Sequence, residues 1–226
     1  MMMLASTVSM RRIAIILNIN LKTVARKLEF LAEQSRQKLN SQHENYTDIT
    51  AIQFDELQTI EHTKLKPLSV AMAVSKEDRK ILGFQVSCMP ATGHLASISR
   101  KKYGRRPDCR RAGLLQLFQT LQGFLGDKIT IRSDECCYYN SVVKTCFPKA
   151  IYHQFKGQKS TVSGQGELKK IYRDPLFSIN HTFAMLRANI NRLIRKTWCT
   201  TKKISRLVDH LSIYVWVHNS KLTAPL

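Results

Sequence analysis

Two aspartates stand where their neighbours argue against them. Asp55 interrupts the apolar run Ile52-Gln53-Phe54-Asp55-Glu56-Leu57, and Asp134 ends the β-branched run Ile129-Thr130-Ile131-Arg132-Ser133-Asp134. Such runs read as strands. Strand interiors disfavour Asp, because its side chain competes for backbone hydrogen bonds and carries charge into a buried layer. Two carboxylates brought together on one sheet would hold divalent metal, the arrangement that stabilises the attacking and leaving oxygens of a phosphodiester displacement. The two residues are 79 positions apart, so only a folded sheet can join them. Ion pairing with the chain's many Arg and Lys residues is the competing explanation.

The charge balance narrows the partner. With 36 Lys+Arg against 16 Asp+Glu the net charge is +20 and the pI about 10.0, beyond what solubility requires. A polyanion is the natural partner, with nucleic acid first and a membrane surface second. The 226 residues, 43% of them hydrophobic, suit one catalytic-sized domain with a small appendage and exclude a disordered basic tail. The cysteines (Cys88, Cys109, Cys136, Cys137, Cys146 and Cys199) form no C-x-x-C pair, which excludes a zinc ribbon or thioredoxin-type site. No stretch approaches the roughly 20 apolar residues of a membrane span, and no signal peptide is evident. The expectation is a cytoplasmic, nucleoid-associated protein.

These residues need a scaffold, and the pattern supplies one. Residues 1–40 read as a helix-turn-helix. Ser9 caps a short helix with Ile13, Ile16 and Leu17 inward, Asn18-Ile19-Asn20 forms the turn, and a second helix buries Val24, Leu28 and Leu31. Its outer side offers Lys22, Thr23, Arg26 and Lys27, placed to reach base edges and phosphates in a major groove; an amphipathic hairpin with a solvated basic face is the alternative. Residues 41–50 read as a linker, and 51–226 as the catalytic domain. Strands are expected at 52–59, 67–74 and 80–88, the last two as an antiparallel hairpin. A basic loop follows, Arg100-Lys101-Lys102-Tyr103-Gly104-Arg105-Arg106, with Tyr103 available for stacking. Then come a helix over 108–125 lined by Leu114, Leu115, Phe118, Leu121 and Leu125, the strand ending at Asp134, a strand at 150–155 and a mobile Gly/Lys/Ser-rich stretch at 156–166. The chain closes on two helices, one striped by Phe183, Leu186, Ile190, Leu193 and Ile194, the other spanning 204–217. This order is that of a ribonuclease-H-like α/β layer structure, in which carboxylates of the first and fourth strands lie side by side and a third ligand comes from the start of a late helix.

Three segments carry a family resemblance. Gln53-Phe54-Asp55-Glu56-Leu57 with Glu61-His62-Thr63-Lys64, Ser133-Asp134 after its β-run, and Leu186-Arg187 through Arg195-Lys196-Thr197-Trp198-Cys199 resemble a bacterial or archaeal insertion-sequence DDE transposase of the insertion sequence one-like family, from about Ser9 to Leu222. The resemblance implies a helix-turn-helix that holds transposon ends and a catalytic domain that cuts and joins DNA with Mg2+, or with Mn2+. It implies double-stranded DNA as partner, both terminal inverted repeats and target, and a homo-oligomer assembled on it. Asp55 and Asp134 match the first two catalytic, metal-holding acids. Asn180 stands where relatives have Glu, and offers a carbonyl oxygen without charge. Glu167 and Asp174 are spare carboxylates nearby, and His181 is a candidate orienting or proton-shuttling neighbour. Many relatives carry a cysteine-rich zinc ribbon ahead of the helix-turn-helix, and this chain does not. Between Phe183 and Arg206 the seven basic residues Arg187, Arg192, Arg195, Lys196, Lys202, Lys203 and Arg206 meet no Asp or Glu, as phosphate contact requires. The alternative function is a truncated, non-catalytic DNA-binding product that represses its own element.

Overall fold

The computed structural model describes residues 1–43, 49–156, 174–193 and 199–223. Its centre is a five-stranded mixed sheet in the order β3-β2-β1-β4-β5. β1 (Ala51–Ile60) runs antiparallel to β2 (Pro67–Ser75), which turns through a hairpin into antiparallel β3 (Ile81–Cys88). On its other side β1 runs parallel to β4 (Thr130–Asp134), and β4 parallel to β5 (Ile151–Phe155). The strands alternate their side chains, so each face collects its own core.

Ile52 and Phe54 of β1 point to the face covered by α4 (Arg110–Gln122) and α5 (Tyr139–Cys146), where they meet Leu114, Phe118, Leu121, Tyr139 and Val143. The Phe54 ring lies edge-on to Phe118 at 4.9 Å and tilted against Tyr139 at 4.8 Å. α4 seats close on β3 because residue 113 is glycine: a Cβ there would fall 1.9 Å from the Ser87 hydroxyl oxygen. Leu57 points to the opposite face, with Leu68, Val70, Met72 and Val74 of β2. That face is covered by α2 (Leu21–His43), α6 (Phe177–Asn189) and α7 (Ile204–Thr223), which contribute Val24 and Leu28, Ile179 and Phe183, and Leu207 and Leu211. At the end of α7 the Asn219 amide accepts the Ile81 N–H and donates to the Ile81 carbonyl, both at 2.9 Å, fixing this helix to the start of β3.

The α/β expectation holds, with local differences that have physical causes. Ile16 and Leu17 are exposed. α1 (Met10–Ile16) is only two turns long, and the chain bends away at Asn18 in the left-handed region (φ 49°), so the buried stripe is Met10, Ile13 and Ala14. α2 continues to His43, three residues into the expected linker, whose residues 44–48 lie outside the described ones. Arg100 to Tyr103 are not loop but the last turn of α3 (Leu95–Tyr103), which ends at Gly104 with φ 74°. α5 had no counterpart among the elements expected from sequence. The helix through Phe183 stops at Asn189 rather than running through Ile194, because Ile190 turns extended; Ile194 lies outside the described residues. So does the expected mobile stretch, apart from Lys156. No helix among the described residues is long and apolar enough to cross a membrane.

One packing detail makes the fold acid-sensitive. His210 of α7 is buried and donates Nε2–H to the Leu4 carbonyl, in a single 3-10 turn at Met2–Ala5. Burial, with the like charge of Arg192 nearby, lowers its pKa to about 4, against 6.5 for the unfolded chain. Between these values the unfolded chain binds the proton more tightly, so stability falls as pH falls, by about 3 kcal/mol across the whole window. Urea melts at pH 7 and pH 4.5 should show this loss, and His210→Gln should flatten it; an equal slope in the variant would place the acid sensitivity elsewhere.

Candidate active site

The parallel pairing of β1 with β4 sets the site. The ladder matches Ala51 with Thr130, Ile52 with Ile131 and Gln53 with Arg132. Every pair differs by 79 in residue number, and so do Asp55 and Asp134, two positions further along. The two aspartates therefore occupy equivalent positions on adjacent strands. Partners in a parallel ladder share a face, so both lie on the α6 side, the side to which Gln53 and Leu57 also belong. Both are half-buried. Carboxylates at equivalent positions on neighbouring strands are the arrangement that a divalent cation would bridge.

The start of α6 is tied to the same face. Gln53 is 2% exposed, and its amide donates to the Pro175 carbonyl at 2.9 Å while accepting the Ile179 N–H at 3.1 Å. Ser178 adds a bond to the Lys76 carbonyl at 2.7 Å, beside the β2–β3 turn. Asn180 sits within the first turn of α6 and does not cap it. The N-cap is Leu176, which makes no side-chain cap bond. Asp174, two residues before it, accepts the Leu176 N–H at 2.9 Å through Oδ1, closing a turn ahead of the helix. Asp174 Oδ2 accepts the Asn180 amide N–H at 2.8 Å. A carboxylate can only accept, so the Asn180 nitrogen faces Asp174 and its oxygen faces away. Asp174 is thus a turn-forming and orienting group rather than a solvated spare. Glu167 lies outside the described residues.

Three tyrosines frame the carboxylates from the other side of the sheet. Burial first, then the charges of Asp55, Glu56 and Asp134, hold the Tyr139 phenol far above the usual tyrosine range. It stays protonated and adds no negative charge. Tyr152, hydrogen-bonded to Ser133 at 2.6 Å, is pushed up to about 12 by burial, with Asp134 adding to the rise. Tyr138 donates its hydroxyl to Glu56, which also accepts from Ser69 at 2.7 Å. This bond draws the turn after β4 toward β1. Sequence reasoning missed Gln53, Glu56 and all three tyrosines. The signal for Gln53 was present: a polar residue at the same strand parity as Asp55.

Among the described residues no group of three or more His, Cys, Asp or Glu is arranged to hold a metal ion. The residues expected to hold metal, Asp55, Asp134 and Asn180, carry hard oxygen donors, which would suit Mg2+ or Mn2+ and disfavour softer ions. His181 does not face open solvent; it tilts against Phe177 with ring centroids 5.5 Å apart and lies 3.3 Å from the Arg79 guanidinium.

The basic residues spread over several elements. Lys22, Thr23, Arg26 and Lys27 are exposed at the start of α2, where Asn20 caps the Lys22 N–H at 2.8 Å. Arg100, Lys101 and Lys102 are exposed on α3, and Arg105 follows them. Arg106 is instead drawn inward to Glu61 at 3.4 Å. Tyr103 has its ring covered by Lys66 at 4.7 Å and Lys102 at 5.5 Å, so it is not open for stacking. Arg187 is exposed on α6. Arg192 lies beyond the helix, half-buried, its pKa lowered by burial. Arg195 and Lys196 lie outside the described residues.

No protein-family model matches the chain, and no curated protein matches it by sequence. Among solved structures it is similar to the catalytic domain of the Mos1 mariner transposase, with a TM-score of 0.40 and 12% identity over 87% of this chain and 88% of that one. It is similar to the same domain determined with raltegravir and Mn, at a TM-score of 0.32 and 11% identity over 89% and 96% of the two chains. It is also similar to a pre-cleavage Mos1 transpososome, at 0.29 and 9% over 96% and 75%. None of these scores reaches 0.5, so the functional reading rests on the chain's own strand order and register.

The turn at Asp174 predicts a measurable cost. Asp174→Ala removes the acceptor of the Leu176 N–H and should lower stability by about 1 kcal/mol, while Asp174→Ser, which keeps an acceptor, should restore most of it. Chemical denaturation of the three proteins measures this. Equal midpoints for the Ala and Ser variants would show that this turn contributes nothing.

Proposed function

We propose that the chain is a DDE-type transposase, of the insertion sequence one-like kind, that binds insertion-sequence ends and cleaves and joins DNA strands at a ribonuclease-H-like site. The observation that carries this reading is the register of β1 against β4, which sets Asp55 and Asp134 at equivalent positions on one face. The strand order, three antiparallel strands followed by two parallel ones, supports the fold assignment. Asp55, Asp134 and the Asn180 oxygen would hold Mg2+ or Mn2+. When bound, such ions stabilise the charge that develops on the attacking and leaving oxygens of the phosphodiester.

The chain's own residues do the rest. Asp55 and Asp134 supply a fixed pair of negative charges, half-buried on the sheet face that α6 covers. Tyr139 and Tyr152 keep their protons and so leave the charge of the pair intact. Asp174 turns the Asn180 oxygen outward. The net charge of +20 draws DNA, and the helix-turn-helix proposed for residues 1–40 presents Lys22, Thr23, Arg26 and Lys27 to it. Arg100, Lys101, Lys102, Arg105 and Arg187 are proposed as further phosphate-binding groups, assembled with other copies of the chain on paired ends.

Asp55→Asn and Asp134→Asn should each abolish Mg2+-dependent cleavage of terminal-repeat DNA and leave gel-shift affinity measured in EDTA unchanged, because duplex affinity without metal comes from Lys and Arg elsewhere. Cleavage that survives both substitutions would remove the carboxylates from the chemistry. Wild-type protein that binds ends without cutting them would favour the repressor reading. A second measurement tests the helix-turn-helix. Arg26→Ala with Lys27→Ala should flatten the dependence of log K on log salt by about 0.9 for each phosphate that the variant no longer neutralises. An unchanged slope would turn this helix away from DNA.

A further inference from the structure

Gln53 is a buried polar residue in the middle of a strand, and it is the side chain that joins the two halves of the candidate site. It stands two residues before Asp55 at the same parity and pairs in register with Arg132, two residues before Asp134. Its amide bonds Pro175 and Ile179, which flank the first turn of the helix that carries Asn180. The neighbouring polar tie, Ser178 to Lys76, anchors the same turn to the β2–β3 side and touches neither aspartate strand position. A carboxamide offers both donor and acceptor groups, and both kinds are used here. An apolar side chain would leave a buried carbonyl and a buried N–H without partners, and a carboxylate would face the Pro175 carbonyl with like polarity.

We propose that Gln53 is a positioning residue: it sets the separation between the Asp55–Asp134 pair and the Asn180 oxygen, and so tunes the affinity of the site for a divalent cation. This rests on the metal-holding role proposed above. The separation matters because Mg2+ demands near-ideal octahedral geometry, whereas Mn2+ binds the same oxygen donors. Groups that orient ligands without touching the ion change metal affinity or activity by about 10–100-fold when they are removed.

The test measures metal directly. Mn2+ binding to the DNA-free protein, read from the electron paramagnetic resonance signal of free Mn2+, is compared for wild type, Gln53→Met, Gln53→Asn and Ser178→Ala. Asn is one methylene shorter, cannot span Pro175 and Ile179 together, and guards against a Met variant that fails to fold. The expected result is Mn2+ affinity about 10–100-fold weaker for Gln53→Met. Gln53→Asn should move in the same direction, and Ser178→Ala should match wild type despite a lower melting temperature. The Mg2+ midpoint for cleavage should rise in parallel, with gel-shift affinity in EDTA unaltered. Cooperative melting of both Gln53 variants with wild-type Mn2+ affinity would overturn the proposal. So would an equal weakening in Ser178→Ala, which would mark the effect as general loosening of α6. Wild-type protein that binds no Mn2+ would overturn the metal site itself, and with it the role of Gln53.

Discussion

The pairing of β1 with β4 is the constraint on which the rest depends. Three rungs of a parallel ladder, Ala51 with Thr130 through Gln53 with Arg132, decide where every polar residue near the site falls. A slip of one residue would turn the β4 side chains to the opposite face, burying Asp134 against Leu114 and Phe118 and sending Ile131 toward α6. Register is held by hydrophobic fit. Ile52 and Ile131 are both fully buried in one cluster with Phe54, and Phe54 is pinned between two aromatic rings. The carboxylates are thus located by apolar residues whose side chains pack on the opposite face of the sheet.

Helices join this sheet through a device used twice. Gln53 on β1 reaches up to the backbone of α6, and Asn219 on α7 reaches down to the backbone of β3. Each carboxamide takes one N–H and gives one N–H, so each is satisfied while buried to within 2% of full coverage. Apolar packing tolerates sliding, because dispersion contacts are non-directional and many. A paired donor and acceptor does not, since a shift breaks both bonds and leaves buried groups unpaired. The two joints therefore fix what the cores on either face leave free, and one of them lies beside the carboxylate pair.

Much of this was legible in the residues. The strands announced themselves by β-branched runs, and the anomalous aspartates within them drew attention to the candidate site, because a charge in such a run is disfavoured without a reason. The faces of α4 and α2 followed from helical spacing of Leu114, Phe118 and Leu121, and of Val24 and Leu28. What escaped was short or tertiary. α5 has only eight residues, too few for its Tyr139-Val142-Val143-Cys146 stripe to stand out. Ile16 and Leu17 have the spacing of buried residues, yet no element among the described residues covers them, and spacing alone does not report the neighbour. Arg106 and Tyr103 read as surface groups in a basic run; Glu61 and Lys66, which engage them, come from 45 and 37 positions earlier. Gln53 drew no reading of its own because its partners lie more than 120 residues away.

The same electrostatics that recruits a polyanion works against a cation. A chain at +20 repels Mg2+ over the long range, and in the proposed site an amide in place of a third carboxylate would lower the local attraction further. On the proposed reading, a bound DNA strand removes the first of these obstacles by neutralising the basic surface, and its phosphate oxygens supply hard donors that the protein lacks. Metal and DNA would then each raise the affinity of the other, by the same factor in both directions, as linkage requires. On that reading a site of two carboxylates and a neutral amide would bind metal measurably in the free protein but more tightly with the strand in place, which would favour strand cleavage by protein already seated on DNA.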